Sequence, residues 1–182
     1  MPRHADSKRS SLITVAGVAV VTVLILALVI VVKGMPEIGE AAADEPAGPR
    51  VGMAAPDFRA LDIAGEPVRL EDYRGAPVWL FIQATWCSSC RAELPDVEAS
   101  LDRVEVISIY MREDRDIVND YVQRLGLQMR SVPDPIGEIS LAYLTTSVPT
   151  HFFIDAEGDI AAVAKGILSP AEIDEHLTAI GA

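Results

Sequence analysis

The stretch PVWLFIQA, from Pro77 to Ala84, is apolar at every position from Val78 to Ile82. Successive strand residues point to opposite faces, so a strand that is apolar on both must be covered on both. This segment therefore asks for a central strand with packed layers on either side. It leads directly into TWCSSC, which holds the only two cysteines of the chain, Cys87 and Cys90.

The neighbouring segments supply the layers. Phe58 to Leu61 and Val68 to Leu70 flank DIAGE, whose Gly65 suits a hairpin turn. After the cysteines a helix is expected through about Leu101, with Pro95 inside it as a kink because proline removes a helical donor. VEVISIY, Val104 to Tyr110, reads as the next strand. Ile117, Val118, Tyr121, Val122 and Leu125 then recur at helical spacing, with Gly126 as a stop. Strand, helix, strand implies a parallel crossover. PTHFFID and IAAVAKG, joined by AEGD, form an antiparallel hairpin. Ser169, Pro170 and Glu172 make a capping box for a last helix, which would bury Ile173, Leu177 and Ile180 and end at Gly181. The fold class is α/β: a mixed sheet flanked by helices, with its central strand ending at the cysteine pair.

The spacing of the cysteines has a physical use. With the strand ending near Ala84 and the helix starting near Ser88, Cys87 lies where unpaired N–H groups and the helix dipole favour an anion. A thiolate is such an anion, so the Cys87 pKa is expected below the free value of about 8.5. Cys90 lies one turn inward on the same face, close enough to close a disulfide without refolding. Cys87 is thus the attacking thiol and Cys90 the resolving one. A structural disulfide closing so short a loop would gain little chain entropy. A zinc site would have to draw on both cysteines together with His151 and His176 and is not expected, nor is any other cofactor. Copper delivery lacks a methionine or histidine cluster near the pair.

The N-terminus suggests a compartment. Residues 12–32 run 21 positions without a charge, enough to span a membrane as a helix. Arg3, Lys8 and Arg9 precede the run, whereas Glu37, Glu40, Asp44 and Glu45 follow Lys33. The positive-inside bias then puts residues 1–11 in the cytoplasm, makes 12–32 a signal-anchor helix, 33–49 a flexible acidic linker and 50–182 an extracytoplasmic domain. A cleaved signal peptide, with Ala41-Ala42-Ala43 as its site, fits less well, because its apolar core should be only about 7 to 15 residues long. No cysteine near this segment offers a lipid anchor. The net charge of −12 argues against attraction to nucleic acid.

The runs APDFRALDIAGEPVRLEDYRGAPVWLFIQATWCSSCRAELPDVE and SVPTHFFIDAEGDI resemble the membrane-anchored thioredoxin-like proteins of the TlpA and ResA type, within the AhpC/TSA redoxin superfamily. The resemblance covers nearly the whole domain from Val51. It implies a thioredoxin fold, a transferable Cys87–Cys90 disulfide, and a cis bond between Val148 and Pro149 lying against the cysteines, where Val148 backbone groups and Trp86 would meet a protein substrate. It further implies protein thiols or disulfides as substrates, such as those of cytochrome c or oxidase assembly, and a transmembrane thiol carrier as electron donor. Glu93 matches a glutamate that lies beneath the disulfide in this family. Taken alone, it is either a solvated acid near a helix N-terminus or a buried acid of raised pKa that moves protons to and from Cys90.

Three departures from the pattern bear on tuning. Ser88 and Ser89 separate the cysteines where relatives commonly have proline second, Phe81 occupies the place of the buried aspartate of thioredoxin, and Gln83 replaces a usual aromatic. His151 could approach the site but reads better as a satisfied strand histidine, Arg91 as a solvated helix residue and Tyr143 as core. Two other functions compete with protein thiol exchange. A peroxiredoxin-like peroxidase usually wants threonine or serine three residues before its reactive cysteine, and Ala84 stands there. A non-redox binding or chaperone module would work with both cysteines replaced.

Overall fold

The computed structural model describes residues 20, 22–25 and 48–182. The chain divides into two units, Met1–Pro46 and Ala47–Ala182. In the first, Val20 and residues 22–25 are helical. Among the described residues no helix is long and apolar enough to cross a membrane. Apart from Val20 and residues 22–25, the span expected over 12–32 lies outside the described residues, as do the segment before it and nearly all of the linker.

In the second unit, β1 (Arg59–Leu61) and β2 (Pro67–Arg69) pair antiparallel as the expected hairpin. Gly65 has φ 87°, a conformation that only glycine adopts without strain, and its N–H closes the turn on Asp62 O. The main sheet has the order β5-β4-β3-β6-β7. The all-apolar segment becomes β3 (Val78–Gln83), central and buried at every residue. It pairs parallel with β4 (Glu105–Met111) and antiparallel with β6 (Thr150–Ile154). The outer strands are β5 (Arg130–Asp134), parallel to β4, and β7 (Ile160–Lys165), antiparallel to β6.

Four α-helices and a short 3-10 helix (Leu70–Tyr73) complete the unit, the α-helices being α1 (Ser88–Glu98), α2 (Arg115–Leu125), α3 (Glu138–Ala142) and α4 (Pro170–Ala179). Helix α1 contains Pro95 and ends at Glu98 rather than Leu101, because Ser100, Leu101 and Arg103 close three-residue turns instead of continuing the ladder. Helix α2 buries Val118, Tyr121 and Val122, while Ile117 and Leu125 remain 52% and 43% exposed at the flanks of that stripe. Gly126 takes the left-handed stop, and Ser169 and Glu172 form the capping box. Strand β5 and helix α3 were not expected. Pro133 lies within β5, which an edge strand tolerates because its outer N–H groups need no partner. At the end of β5, the Asp134 carboxylate accepts from the N–H groups of Ile139 and Ser140 and so starts α3.

Candidate active site

Strand β3 runs out at Gln83, and the chain turns through Ala84, Thr85 and Trp86 into α1. This turn is held from across the sheet. The Glu113 carboxylate accepts from Thr85 N–H at 2.8 Å and from Thr85 Oγ1 at 2.5 Å. Glu113 is itself buried, and it follows Arg112, whose φ of 58° turns the chain sharply at the end of β4. Sequence reasoning passed over Glu113, because an acid beside Arg112 and Asp114 in a connecting loop reads as solvated. No local pattern marked it as the partner of a residue 28 positions away.

Cys87 is the N-cap of α1, and its Sγ accepts from Cys90 N–H at 3.0 Å. The sulfur thus occupies the place where a capping oxygen normally satisfies a free helical donor. Ser89 Oγ lies 3.2 Å from the same sulfur, which carries no proton in the disulfide, so the hydroxyl is the donor. Both contacts favour negative charge on Cys87 Sγ when the disulfide opens. Cys87 and Cys90 are joined as a disulfide with their Cα atoms 5.3 Å apart. Cys87 is 5% exposed and Cys90 0%, so only the first offers any surface to a partner.

Beside the pair, Trp86 is 69% exposed. The Val148–Pro149 bond is cis; Val148 is half-buried and Pro149 buried. Pro149 O accepts from Gly166 N–H at 2.9 Å, tying this loop to the segment after β7.

Glu93 sits one turn beyond Cys90 and is 1% exposed. Of the two possibilities open from sequence, solvated or buried, the structure shows the second. Its Oε1 accepts from Leu168 N–H at 2.9 Å, while Oε2 has no hydrogen-bond partner. Burial pushes its pKa up to about 7, against the lowering effect of the Leu168 N–H and with small additions from Asp96 and Glu172. The carboxyl therefore changes its proton near neutrality, where thiols must do the same. Gln83 is also buried, donating from Nε2 to Ser108 Oγ at 2.6 Å with its Oε1 unpartnered.

His151 is buried and hydrogen-bonded, as a strand histidine should be, but it also lies 3.6 Å from Glu93 Oε1. Burial lowers its pKa to about 4, so the pair is not an ion pair at neutral pH. Arg91 is exposed, and Tyr143 is core, its hydroxyl donating to Pro56 O. Among the described residues no three His, Cys, Asp or Glu side chains converge so as to hold a metal ion.

Comparison with known proteins agrees with this geometry. The model of the AhpC/TSA family matches residues 51–163. The chain is 33% identical over 135 residues to the thiol-disulfide oxidoreductase ResA of Geobacillus kaustophilus, covering 71% of this chain and 78% of that one. To ResA of Bacillus subtilis it is 27% identical over 134 residues, covering 71% and 75%. Among solved structures, a thiol:disulfide interchange protein of the thioredoxin family from Chlorobium tepidum is similar with a TM-score of 0.64 at 26% identity, covering 74% of this chain and 99% of that one.

Proposed function

Starting from a chain that belongs to the AhpC/TSA family, and is a thiol-disulfide oxidoreductase of its TlpA/ResA type, we propose that it works as a membrane-tethered reductase of protein disulfides outside the cytoplasm. The observation that carries the chemistry is the placement of Cys87 Sγ as the N-cap of α1, accepting from Cys90 N–H, with the buried Glu93 one turn below.

In the reduced protein, Cys87 attacks as the thiolate on one sulfur of the substrate disulfide; the other substrate sulfur leaves as a thiolate and takes a proton. The Cys90 thiol then passes its proton to the Glu93 carboxylate and attacks Cys87 Sγ, expelling the second substrate thiolate. Two electrons leave the enzyme dithiol, which becomes the disulfide present in this structure. Trp86, next to Cys87 in the chain, and the Val148–Pro149 loop would receive the substrate chain, with Val148 backbone groups pairing with it. A transmembrane thiol carrier would restore the dithiol. The apolar run at 12–32 and its flanking charges support the tether and its direction. ResA relatives support a protein substrate of the kind used in cytochrome c or oxidase assembly.

The test is to express full-length Cys90→Ser in cells and capture mixed disulfides. Covalent adducts on Cys87 that vanish in the Cys87→Ser/Cys90→Ser double variant are expected. Adducts absent from Cys90→Ser, or unchanged in the double variant, would reject the assignment. Protease added outside spheroplasts should release a soluble fragment beginning between about Lys33 and Arg50.

A further inference from the structure

Under Glu93 lies a second buried polar side chain with no part in the exchange just described. His151 is in the middle of the sheet, paired through β6 with Phe81 of β3, and is 0% exposed. Its ring stacks on Phe81 at 5.0 Å between centroids, with the planes 9° apart. Its two nitrogens have different partners. Trp79 Nε1, which can only donate, gives its hydrogen to His151 Nδ1 at 3.3 Å. Nδ1 is therefore an acceptor, and the ring proton of the neutral histidine must be on Nε2. From there it is donated to Gly166 O at 3.1 Å, and it faces Glu93 Oε1 at 3.6 Å.

Gly166 begins the short segment whose Leu168 N–H binds Glu93 Oε1. His151 thus acts on the same carboxyl oxygen twice, by facing it and by holding the segment that donates to it. Leu168 N–H binds Oε1 and the polar Nε2–H edge of His151 approaches it at 3.6 Å, while Oε2 has no hydrogen-bond partner. A proton on Oε1 would displace or oppose those donors, whereas a proton on Oε2 meets no competitor. Resting on the proposed exchange reaction, we propose that His151 is a positioning residue, held as its Nε2–H form by Trp79, that fixes Glu93 so that its exchanging proton is carried on Oε2.

The consequence is that only one of the two buried groups titrates. For His151 to become a base, Nδ1 must lose the Trp79 N–H. The other ionisable groups around the carboxyl are Asp96 on its own helix and Glu172 on α4, with His176 of α4 stacked on Phe153 and acting on His151. None of them donates to Glu93, so the bias between its two oxygens comes from His151 and the Leu168 segment.

Two measurements on the oxidised full-length protein test this without using turnover. Ring ¹⁵N NMR should show His151 as the Nε2–H tautomer throughout about pH 5 to 8; the Nδ1–H tautomer, or an imidazolium at neutral pH, would overturn the proposal. Carboxyl ¹³C NMR, with Glu93 assigned through Glu93→Gln, should show its titration moving up by about one pH unit in His151→Phe, which keeps the stacking but loses both nitrogens. His151→Gln, able to donate to Gly166 O, should move most of the way back. A Glu93 titration that is the same in wild type and in both variants would overturn the role of His151 and leave the exchange reaction standing. Failure of that reaction would show separately, as absence of the Cys87 mixed disulfides expected from Cys90→Ser.

Discussion

On the face of the sheet away from the disulfide, Leu80, Ile82, Ile107, Ile109, Val132 and Ile154 pack as an aliphatic layer. On the face that meets α1, alternate residues of the same strands present Gln83, Ser108 and His151, all buried, and His151 faces the buried Glu93. The orphaned oxygens Gln83 Oε1 and Glu93 Oε2 lie on this second side. Burying such groups without full hydrogen bonding is costly, so the two faces differ in purpose: one is aliphatic packing, and the other, beside its own apolar residues, gives up stability for a carboxyl that can change its proton. The same β3 serves both, which is why it must be central and buried on both sides.

The sharpest way to break this contrast is to damage each face separately. Ile109→Ala on the aliphatic face should cost about 2 to 5 kcal/mol in urea unfolding and leave the pH profile of thiol exchange by the folded protein unchanged. A changed profile would mean that the faces are not separate.

The polar face should respond in the opposite sense. Glu93 has its pKa raised from 4.5 to about 7 on folding. The folded state therefore holds a proton that the unfolded chain releases, and stability falls as pH rises through that window. His151 is lowered from 6.5 to about 4, so its contribution falls as pH drops through the same region. The two largely cancel in the wild type. Removing one exposes the other: oxidised Glu93→Gln should match the wild type near pH 4 and be about 3 kcal/mol more stable above pH 7. Equal stabilities at both ends would refute a destabilising buried acid.

Much of this arrangement could be read from residues alone. The unbroken apolar run of β3, the capping box at Ser169 and the glycine stops are local signals, and each has one physical interpretation. The cysteine pair and the position of Glu93 were readable for the same reason, since a helix fixes what lies three residues away. Strand β5 was hidden because Pro133 and Asp134 look like a turn until β4 is known to lie beside them. Glu113 and the contact between His151 and Glu93 were hidden because they join distant residues, and nothing near either one announces its partner. Burial of Glu93 could be posed only as an alternative, as it depends on the Leu168 segment closing over it.

Smaller effects refine the comparison. Ser169→Ala removes the cap of α4 and should cost about 1 kcal/mol by chemical denaturation, with exchange unaffected because the capping box lies at the surface. Trp86→Ala should change stability by no more than about 0.5 kcal/mol, since this side chain is 69% exposed. It should nevertheless raise the KM for a protein disulfide while sparing a small-molecule disulfide. Equal loss with both substrates would place Trp86 in packing around the sulfur rather than in docking.

The polar face gives up stability so that Glu93 can move a proton as the disulfide opens and closes. The direct measurement is the rate of thiol-disulfide exchange by Glu93→Gln against wild type from about pH 5 to 9, both proteins full-length and folded. Glu93→Gln is expected to be slower and to lose the ionisation that burial places at about 7. A native rate with the native pH profile would mean that Glu93 moves no proton in the exchange.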